Sequence, residues 1–357
     1  MSKPPSLLTL DASHGEGGGQ ILRTALSLAV ALGRPVRLSH IRERRPKPGL
    51  QPQHLTAVRA LAAVSDAAVS GDALDSTALT FVPGPLRPGT YRFDVGAVRG
   101  SAGAVSLVFQ ALLLPLSRAA TPSHLTLIGG THVPWSPPFP YLSDVFLPLL
   151  AEVGVRARVV LHRWGWYPRG GGEVEATIVP GPAARGLMLE TSPPGGSLVG
   201  FSAVSRLPRS IAERQRRRAE ERLATAGLAA HIALVEDATA LGPGTCVFLA
   251  TPGRSGFSAL GRRGLPAEAV ADTAVDALLA HRASGAALDD HLADQVVPFL
   301  ALGAAPSTFT CPTLSSHLRT LVWVVDAFLP GRITLEEGMP ARVRVFPRHE
   351  DSVRPTS

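Results

Sequence analysis

The chain has 357 residues, room for roughly two core-forming units at about 150 residues each, and its 45% hydrophobic and 18% charged content excludes a disordered chain. A net charge of +7 and a pI near 10.3 point to an anionic partner such as a nucleic acid or a nucleotide. Of the 35 Lys and Arg residues only Lys3 and Lys47 are lysines, and neither stands in a Gly-Lys-Ser/Thr sequence, so a Walker A loop is excluded and a lysyl covalent intermediate is disfavoured.

LLTLD at 7 to 11 predicts a strand, and the apolar period from Gln20 to Leu32 predicts a helix opened by the glycine run GEGGG. Glycines let a backbone approach a phosphate closely, and free amides at a helix start attract anions. Glu16 is then best used to hold a divalent cation that bridges to phosphate; the alternative is a flexible turn with an exposed Glu. Arg23 can reach back from the first turns of the helix. A strand over Pro35 to Ile41 leads into IRERRPKPGLQPQHLT, where Arg42, Arg44, Arg45 and Lys47 precede Gln53 and His54. That loop reads either as a clamp for a terminal phosphate or as a solvated basic segment.

The order recurs further on, with RFDV at 92 to 95, the small-residue loop GSAG at 100 to 103, a helix over 104 to 116 and the strand HLTLIGG at 124 to 130. This is a weak internal repeat of about 85 residues. Helix and strand pairing is expected again over 140 to 162, before RWGWYPRGGGEV at 163 to 174. There Trp164, Trp166 and Tyr167 either stack on bases or pack under the loop, and the glycines make a turn.

A composition shift from Pro182 to Gly285 marks an insertion, with strands expected at 197 to 205, 230 to 236 and 245 to 250 and a late helix at 267 to 282. Its helix SIAERQRRRAEERLATAG offers RQRRRAEERL (214 to 223) either to RNA phosphates or as a solvated face laced with Glu–Arg pairs. After it, DDHLADQVVPFLALG, STFTCP, SSHLRTLVWVVDAFLP and RITLEE alternate helix and strand. His291 shares a helix face with Asp294 or Gln295, and His317 follows an N-cap pair, Ser315 and Ser316. The positive end of that helix favours neutral imidazole, the nucleophilic form, although one histidine among eleven is by itself more often structural.

Cys246 and Cys311 have neither zinc-ligand spacing nor partners for a disulfide framework. The first residues hold no apolar core of signal-peptide length, and the apolar stretch from Ala104 to Leu116 is broken by Gln110 and Pro115. A soluble, cytoplasmic protein with no membrane association is expected.

DASHGEGGGQILRTALSL, RPKPGLQPQHLTAV, GWYPRGGGEV, HLADQ and SSHLRT, in this order over nearly the whole chain, resemble the RNA 3′-terminal phosphate cyclase family. The resemblance implies an α/β (α+β) fold of three repeated βαβαββ-type units forming a large domain, residues 1–184 and 286–357, with a smaller α/β domain inserted at 185–285. It implies ATP as AMP donor, a divalent metal (Mg or Mn), an RNA with a 3′-terminal phosphate as substrate, and no obligate protein partner. The implied reaction passes through histidyl-AMP and RNA(3′)pp(5′)A to a 2′,3′-cyclic phosphate, an RNA processing or repair step.

Residue by residue, His317 matches the family's nucleophile and Glu16 its metal-binding carboxylate near the phosphates. Gln110, Pro137, His291, Asp294 and Gln295 match positions around the adenosine and the nucleophile. Arg23, Arg42, Arg45, Gln53 and His54 match positions that hold ATP phosphates or the RNA terminal phosphate. Trp164, His291 and Leu321 depart from the residue types common at their positions, a basic residue, an aromatic and an Asn, which bears on adenosine contacts and fine positioning. Two alternatives stand beside this reading: a non-catalytic RNA-binding ribosome-biogenesis relative, which would lack His317, Glu16 and Arg23 together, and an enolpyruvyl transferase, whose sites lean on lysines that this chain lacks.

Overall fold

A computed structural model describes residues 6–192, 197–251 and 254–347. Lys3 and the ends of the expected large domain lie outside these residues. The first unit runs β1 (Leu8–Asp11), α1 (Gly19–Leu32), β2 (Val36–Ser39), α2 (Pro52–Ser65), β3 (Ala68–Ser70) and β4 (Leu79–Val82). The second runs β5 (Thr90–Asp94), α3 (Val105–Leu116), β6 (Ser123–Gly129), α4 (Phe139–Tyr141), a π turn into α5 (Leu147–Glu152), β7 (Arg156–Arg163) and β8 (Gly172–Val179). The third opens with β9 (Met188–Leu189) and is interrupted by β10 (Leu198–Ser205), α6 (Arg209–Thr225), β11 (Ala230–Asp237), β12 (Gly244–Thr251), β13 (Ser255–Leu260) and α7 (Ala267–Ser284). It resumes with α8 (Asp290–Ala301), β14 (Ser307–Cys311), α9 (Ser316–Phe328), β15 (Ile333–Glu336) and β16 (Ala341–Val345).

These strands make four sheets of four among the described residues. Three share the order β1-β2-β4-β3, β5-β6-β8-β7 and β9-β14-β16-β15, with the first pair parallel and the next two antiparallel. A parallel pair needs a crossover connection, and α1 and α3 supply it in the first two sheets, which lays helices on one face of each. The fourth sheet, β11-β10-β12-β13, exchanges the first two strands. Its β12 is buried on both sides: Val247 and Leu249 pack with α6 and α7, while Phe248 and Ala250 join the large core on the opposite face. Alternation along one strand thus ties the inserted sheet to the rest of the molecule. On this separate core beside α6 and α7 we propose residues 185–285 as the smaller domain.

The large core is continuous, and α1 sits at its middle against α2, α3 and α9. Ile21, Leu22, Ala25, Leu26, Leu28 and Ala29 are fully buried and share one broad face of α1, while Gln20, Arg23 and Thr24 lie on the other face toward the cleft. Gly33 in the left-handed region ends it, accepting no side-chain cost. Strands β3, β4, β9, β13 and β16 escape the sequence reading because each is short or alternates with polar residues. Among the described residues no helix is long and apolar enough to cross a membrane.

Candidate active site

A cleft of about 1400 Å³ opens where α1, α2, α3, α8 and α9 present their cleft-facing ends and sides, closed at the rim by loops 42–46 and 134–138. It gathers every residue to which the resemblance gave a role, from all three sheet units.

His317 is the second residue of α9, whose N-cap Ser315 accepts a hydrogen bond from the Leu318 amide at 3.1 Å. The cap leaves the other first-turn amides unpaired, so the imidazole stands in the positive end of the helix. Its Nδ1 lies 3.3 Å from Gln20 Oε1, and Gln20 Nε2 in turn donates to Asp294 Oδ2 at 3.4 Å. With a carbonyl oxygen facing Nδ1, the proton belongs there and Nε2 keeps its lone pair. Nε2 faces Glu16 Oε2 at 3.2 Å. A carboxylate opposite a lone pair is repulsive, so Glu16 favours the protonated ring until its own charge is taken up. Desolvation is the largest effect on His317 and lowers its pKa, Glu16 opposes it, and His291, Arg23 and Arg45 add to the lowering.

Glu16 is held from two sides. Ser316 Oγ donates to Oε1 at 2.7 Å, and Arg45 Nη2 donates to Oε2 at 3.4 Å. The loop that carries Glu16 is pressed onto α9. Gly15 has φ +56°, and a Cβ there would lie 2.2 Å from Thr320 Oγ1, so only glycine fits. His14 beside it stacks on Trp323 at 4.1 Å between centroids. The glycine run is therefore a close contact between the first and third units.

At the start of α1 the pattern changes from carboxylate pairing to unpaired cations. A Cβ on Gly19 would meet His54 Nε2 at 2.2 Å and Arg23 Nη1 at 2.9 Å, which shows how closely both groups cover the helix start. His54 Nδ1 accepts from the Gln51 amide at 3.2 Å, so Nε2 carries the proton and offers it to the cleft. Burial, then Arg23 and Arg42, push His54 well below the ordinary histidine range, so it is a neutral donor. Burial lowers Arg23 to about 10, with Asp294 opposing and Arg42 assisting; at neutral pH it is still charged. Arg42, with φ +56°, spends one nitrogen on the Lys47 and Gly49 carbonyls at 2.7 and 3.0 Å, which fixes its guanidinium at the rim. Neither Arg23 nor Arg42 has a carboxylate within ion-pair reach among the described residues.

The other end of the cleft is apolar, with Leu107, Ala111, Leu114, Phe146, Pro298 and Phe299 around Gln110 and Gln295, whose side chains share a 2.7 Å hydrogen bond. Burial and neighbouring Asp289 raise Asp294 well above the usual carboxylate range. Pro137 and His291 also line the cleft, and Gln53 has an additional structural duty, accepting from the Ala104 amide at the head of α3 at 3.0 Å. Leu321 also lines the cleft. Among the described residues no group of three or more His, Cys, Asp or Glu side chains is placed to hold a metal ion.

Sequence reasoning missed Gln20 and Asp289, and it read Ser316 only as half of an N-cap pair, whereas Ser315 alone caps α9 and Ser316 donates to Glu16. Gln20 and Ser316 lie inside quoted motifs, but only the fold shows what they touch. Asp289 caps α8 through the His291 and Leu292 amides at 2.9 Å and accepts from Tyr141 Oη at 2.8 Å and the Gly256 amide at 3.1 Å. It therefore joins the second unit, the inserted sheet and the helix that carries His291, Asp294 and Gln295.

Two other segments lie away from the cleft. Trp164 and Trp166 pack with His132, the first stacked at 4.2 Å, and Trp166 Nε1 donates to Ser205 Oγ at 2.7 Å, so RWGWYPRGGGEV is a joint to the inserted sheet. Of its three aromatics only Tyr167 is exposed. The arginines of α6 are paired: Arg214 with Glu268, Arg218 with Asp272, and Arg222 with Asp272 and Asp276, all on α7 or its first turn, at 2.7 to 3.2 Å. Of the two readings of RQRRRAEERL, the carboxylate-laced face is the one observed.

Residues 14–335 match the family model described as RNA 3′-terminal phosphate cyclase. A relative from Methylococcus capsulatus named RNA 3′-terminal phosphate cyclase is 50% identical over 339 residues, covering 92% of each chain. Relatives of the same name from Trichormus variabilis and from Pyrobaculum neutrophilum are 43% and 42% identical, covering 93% of this chain and 97% and 95% of theirs. A solved enolpyruvyl transferase from Streptomyces tendae gives a TM-score of 0.27 at 11% identity over 98% of this chain and 67% of that one, too little to bear on fold or function.

Proposed function

The chain belongs to the RNA 3′-terminal phosphate cyclase family, and from that premise we propose that it converts an RNA 3′-terminal phosphate to a 2′,3′-cyclic phosphate at the expense of ATP, with His317 as covalent carrier of AMP. The observation that carries the mechanism is the placing of His317 at the head of α9, ring-bonded through Gln20, at the wall of a cleft lined by unpaired arginines.

In the first step the Nε2 lone pair attacks the α-phosphorus of ATP. A P–N bond forms, the bridge to the β-phosphorus breaks, and pyrophosphate leaves. Gln20 holds the ring and its Nδ1 proton through this step, and the head of α9 faces the charge that develops on the α-phosphoryl oxygens. Arg23, His54 Nε2–H and the rim arginines Arg42 and Arg45 bind phosphate oxygens. In the second step an oxygen of the RNA 3′-phosphate attacks the same phosphorus, and the P–N electrons return to Nε2. In the third the 2′-hydroxyl oxygen attacks the 3′-phosphorus, its proton passes to solvent, and AMP departs as the P–O–P bridge breaks. The adenine belongs at the apolar end, with Pro137, His291, Asp294, Gln110 and Gln295 around the nucleoside.

Glu16 is a single carboxylate, so the donor set fits a magnesium or manganese ion held largely by substrate phosphates and water rather than a resident ion in a protein cage. When bound, such an ion neutralises phosphate charge and that of Glu16, which removes the repulsion opposite Nε2. No protein partner belongs to this reading, and a cytoplasmic RNA processing or repair role is part of it.

The test is incubation of a 3′-phosphorylated RNA with ATP and Mg or Mn. The expected product end resists phosphatase and forms only with ATP. An end that stays phosphatase-sensitive under every metal condition would favour the non-catalytic, RNA-binding alternative.

A further inference from the structure

Trp135 is 98% exposed, the most exposed large apolar side chain among the described residues, yet it is not at a frayed end. It stands at φ +65°, a conformation that costs a bulky residue energy and persists only when its surroundings enforce it. The enforcement is visible. Pro134, Pro137 and Pro138 stiffen the loop, Ser136 Oγ donates to the Val133 carbonyl at 3.0 Å, and the Phe139 amide closes the loop onto the Thr131 carbonyl at 2.9 Å. The base of the loop is pinned as well: the Thr131 amide donates to the Gly165 carbonyl at 2.9 Å, the Gly165 amide returns a bond to Thr131 Oγ1 at 2.9 Å, and His132 is buried against Trp164. A bare indole is thus held out over the cleft by a built support. It lines the same cleft as Arg42, Arg44 and Arg45.

We propose that Trp135 is a stacking platform for a nucleobase at the 3′ end of the RNA, a subsite at the cleft mouth that works beside the arginines. The proposal rests on the cyclase reading of the cleft. Charge complementarity sets the occupant: the rim arginines hold the terminal phosphate, and the strand attached to it must leave across the rim where the indole stands. The adenine of ATP has the apolar floor around Leu107, Leu114, Phe146 and Phe299, so the exposed ring at the mouth is left for the polymer. Every base has a π face, so the subsite tolerates any base and discriminates a nucleic acid strand from a bare phosphate.

The probe is a short single-stranded RNA with a 3′-phosphate, titrated against tryptophan fluorescence in the absence of ATP. Binding quenches the wild-type protein. Trp135→Ala loses the quench and binds roughly 5- to 150-fold more weakly, the scale for removing one base–aromatic stack. Trp135→Tyr keeps most of the affinity, and an oligomer abasic at its last nucleotides binds the wild type as weakly as the intact RNA binds Trp135→Ala. In turnover the loss falls on KM for RNA and not on KM for ATP. Normal RNA binding by Trp135→Ala would overturn the proposal while leaving cyclisation intact, and a rise in KM for ATP of the same size would overturn it by assigning the indole to the adenine. Quenching lost with Trp135 in a protein that never cyclises RNA would uphold the platform and sink the cyclase reading instead.

Discussion

Two regions of this molecule are rich in arginine and behave oppositely. On α6, Arg209, Arg214, Arg218 and Arg222 each face a carboxylate, and Arg216 and Arg217 face Glu220 and Glu221 one turn on. At the cleft, Arg23 and Arg42 have no carboxylate within ion-pair distance among the described residues, although Asp294 is near enough to act on Arg23, and Arg45 shares Glu16 with His317 and Ser316. A guanidinium with a carboxylate partner is already satisfied, and its field is cancelled within a few ångströms. One held by burial and backbone carbonyls still has donors to give. Positive charge in a sequence therefore says where an anion can bind only once its partners are known, and the proposed phosphate site is the region with fewer arginines.

The largest effect expected from this contrast is at Arg23. Arg23→Ala should slow transfer of AMP to the protein by roughly 10²- to 10³-fold, the scale for losing one preorganised donor at a developing oxyanion, in single-turnover kinetics. A mild effect there would mean that the unpaired cation is structural. Next is Gln20→Leu, which leaves every arginine in place but frees the His317 ring; a roughly 10- to 100-fold loss in the same step is expected, equivalent to about 1.5–3 kcal/mol for a hydrogen bond to a reacting group.

Salt dependence sharpens the comparison further. Arg45→Ala should reduce the slope of log affinity against log salt for 3′-phosphorylated RNA by about 0.7, one phosphate contact on a single strand, whereas Arg217→Ala should leave the slope unchanged. A changed slope for Arg217→Ala would return α6 to the RNA interface. The smallest effect concerns stability. Glu268 is lowered to about 2, first by its hydrogen bond from Arg214, and Asp272 is lowered mainly by Arg218. Carboxylates whose folded pKa is depressed stabilise the fold above their ordinary pKa and lose that contribution as pH falls through the folded value. Thermal stability should thus decline on acidification from about pH 4.5 toward 2, and Glu268→Gln should blunt the decline slightly, because solvent screens these exposed pairs.

Much of this was legible in the sequence. The apolar period of α1, the caps at Ser315 and the glycine loop around Glu16 are local signals, and the resemblance placed twelve residues that the fold brings to one cleft. The pairing of α6 was half legible. Arg209–Glu213 and its neighbours follow i,i+4 spacing, but Arg214, Arg218 and Arg222 find their partners some 50 residues away on α7, and no spacing rule reaches that far. Asp289 was invisible for the same reason: its partners Tyr141 and Gly256 come from different sheet units. The second glycine run was left open between base stacking and packing under the loop; Trp164 and Trp166 pack, and the motif forms a joint to the neighbouring sheet.

The central claim is that the cleft's chemistry passes through one imidazole. The protein is incubated with α-labelled ATP and divalent metal, denatured and digested, and the labelled peptide is sequenced. The account predicts an acid-labile label on the peptide containing His317, absent from His317→Ala and discharged when 3′-phosphorylated RNA is added. Label that persists in His317→Ala, or that maps to another residue, would contradict it.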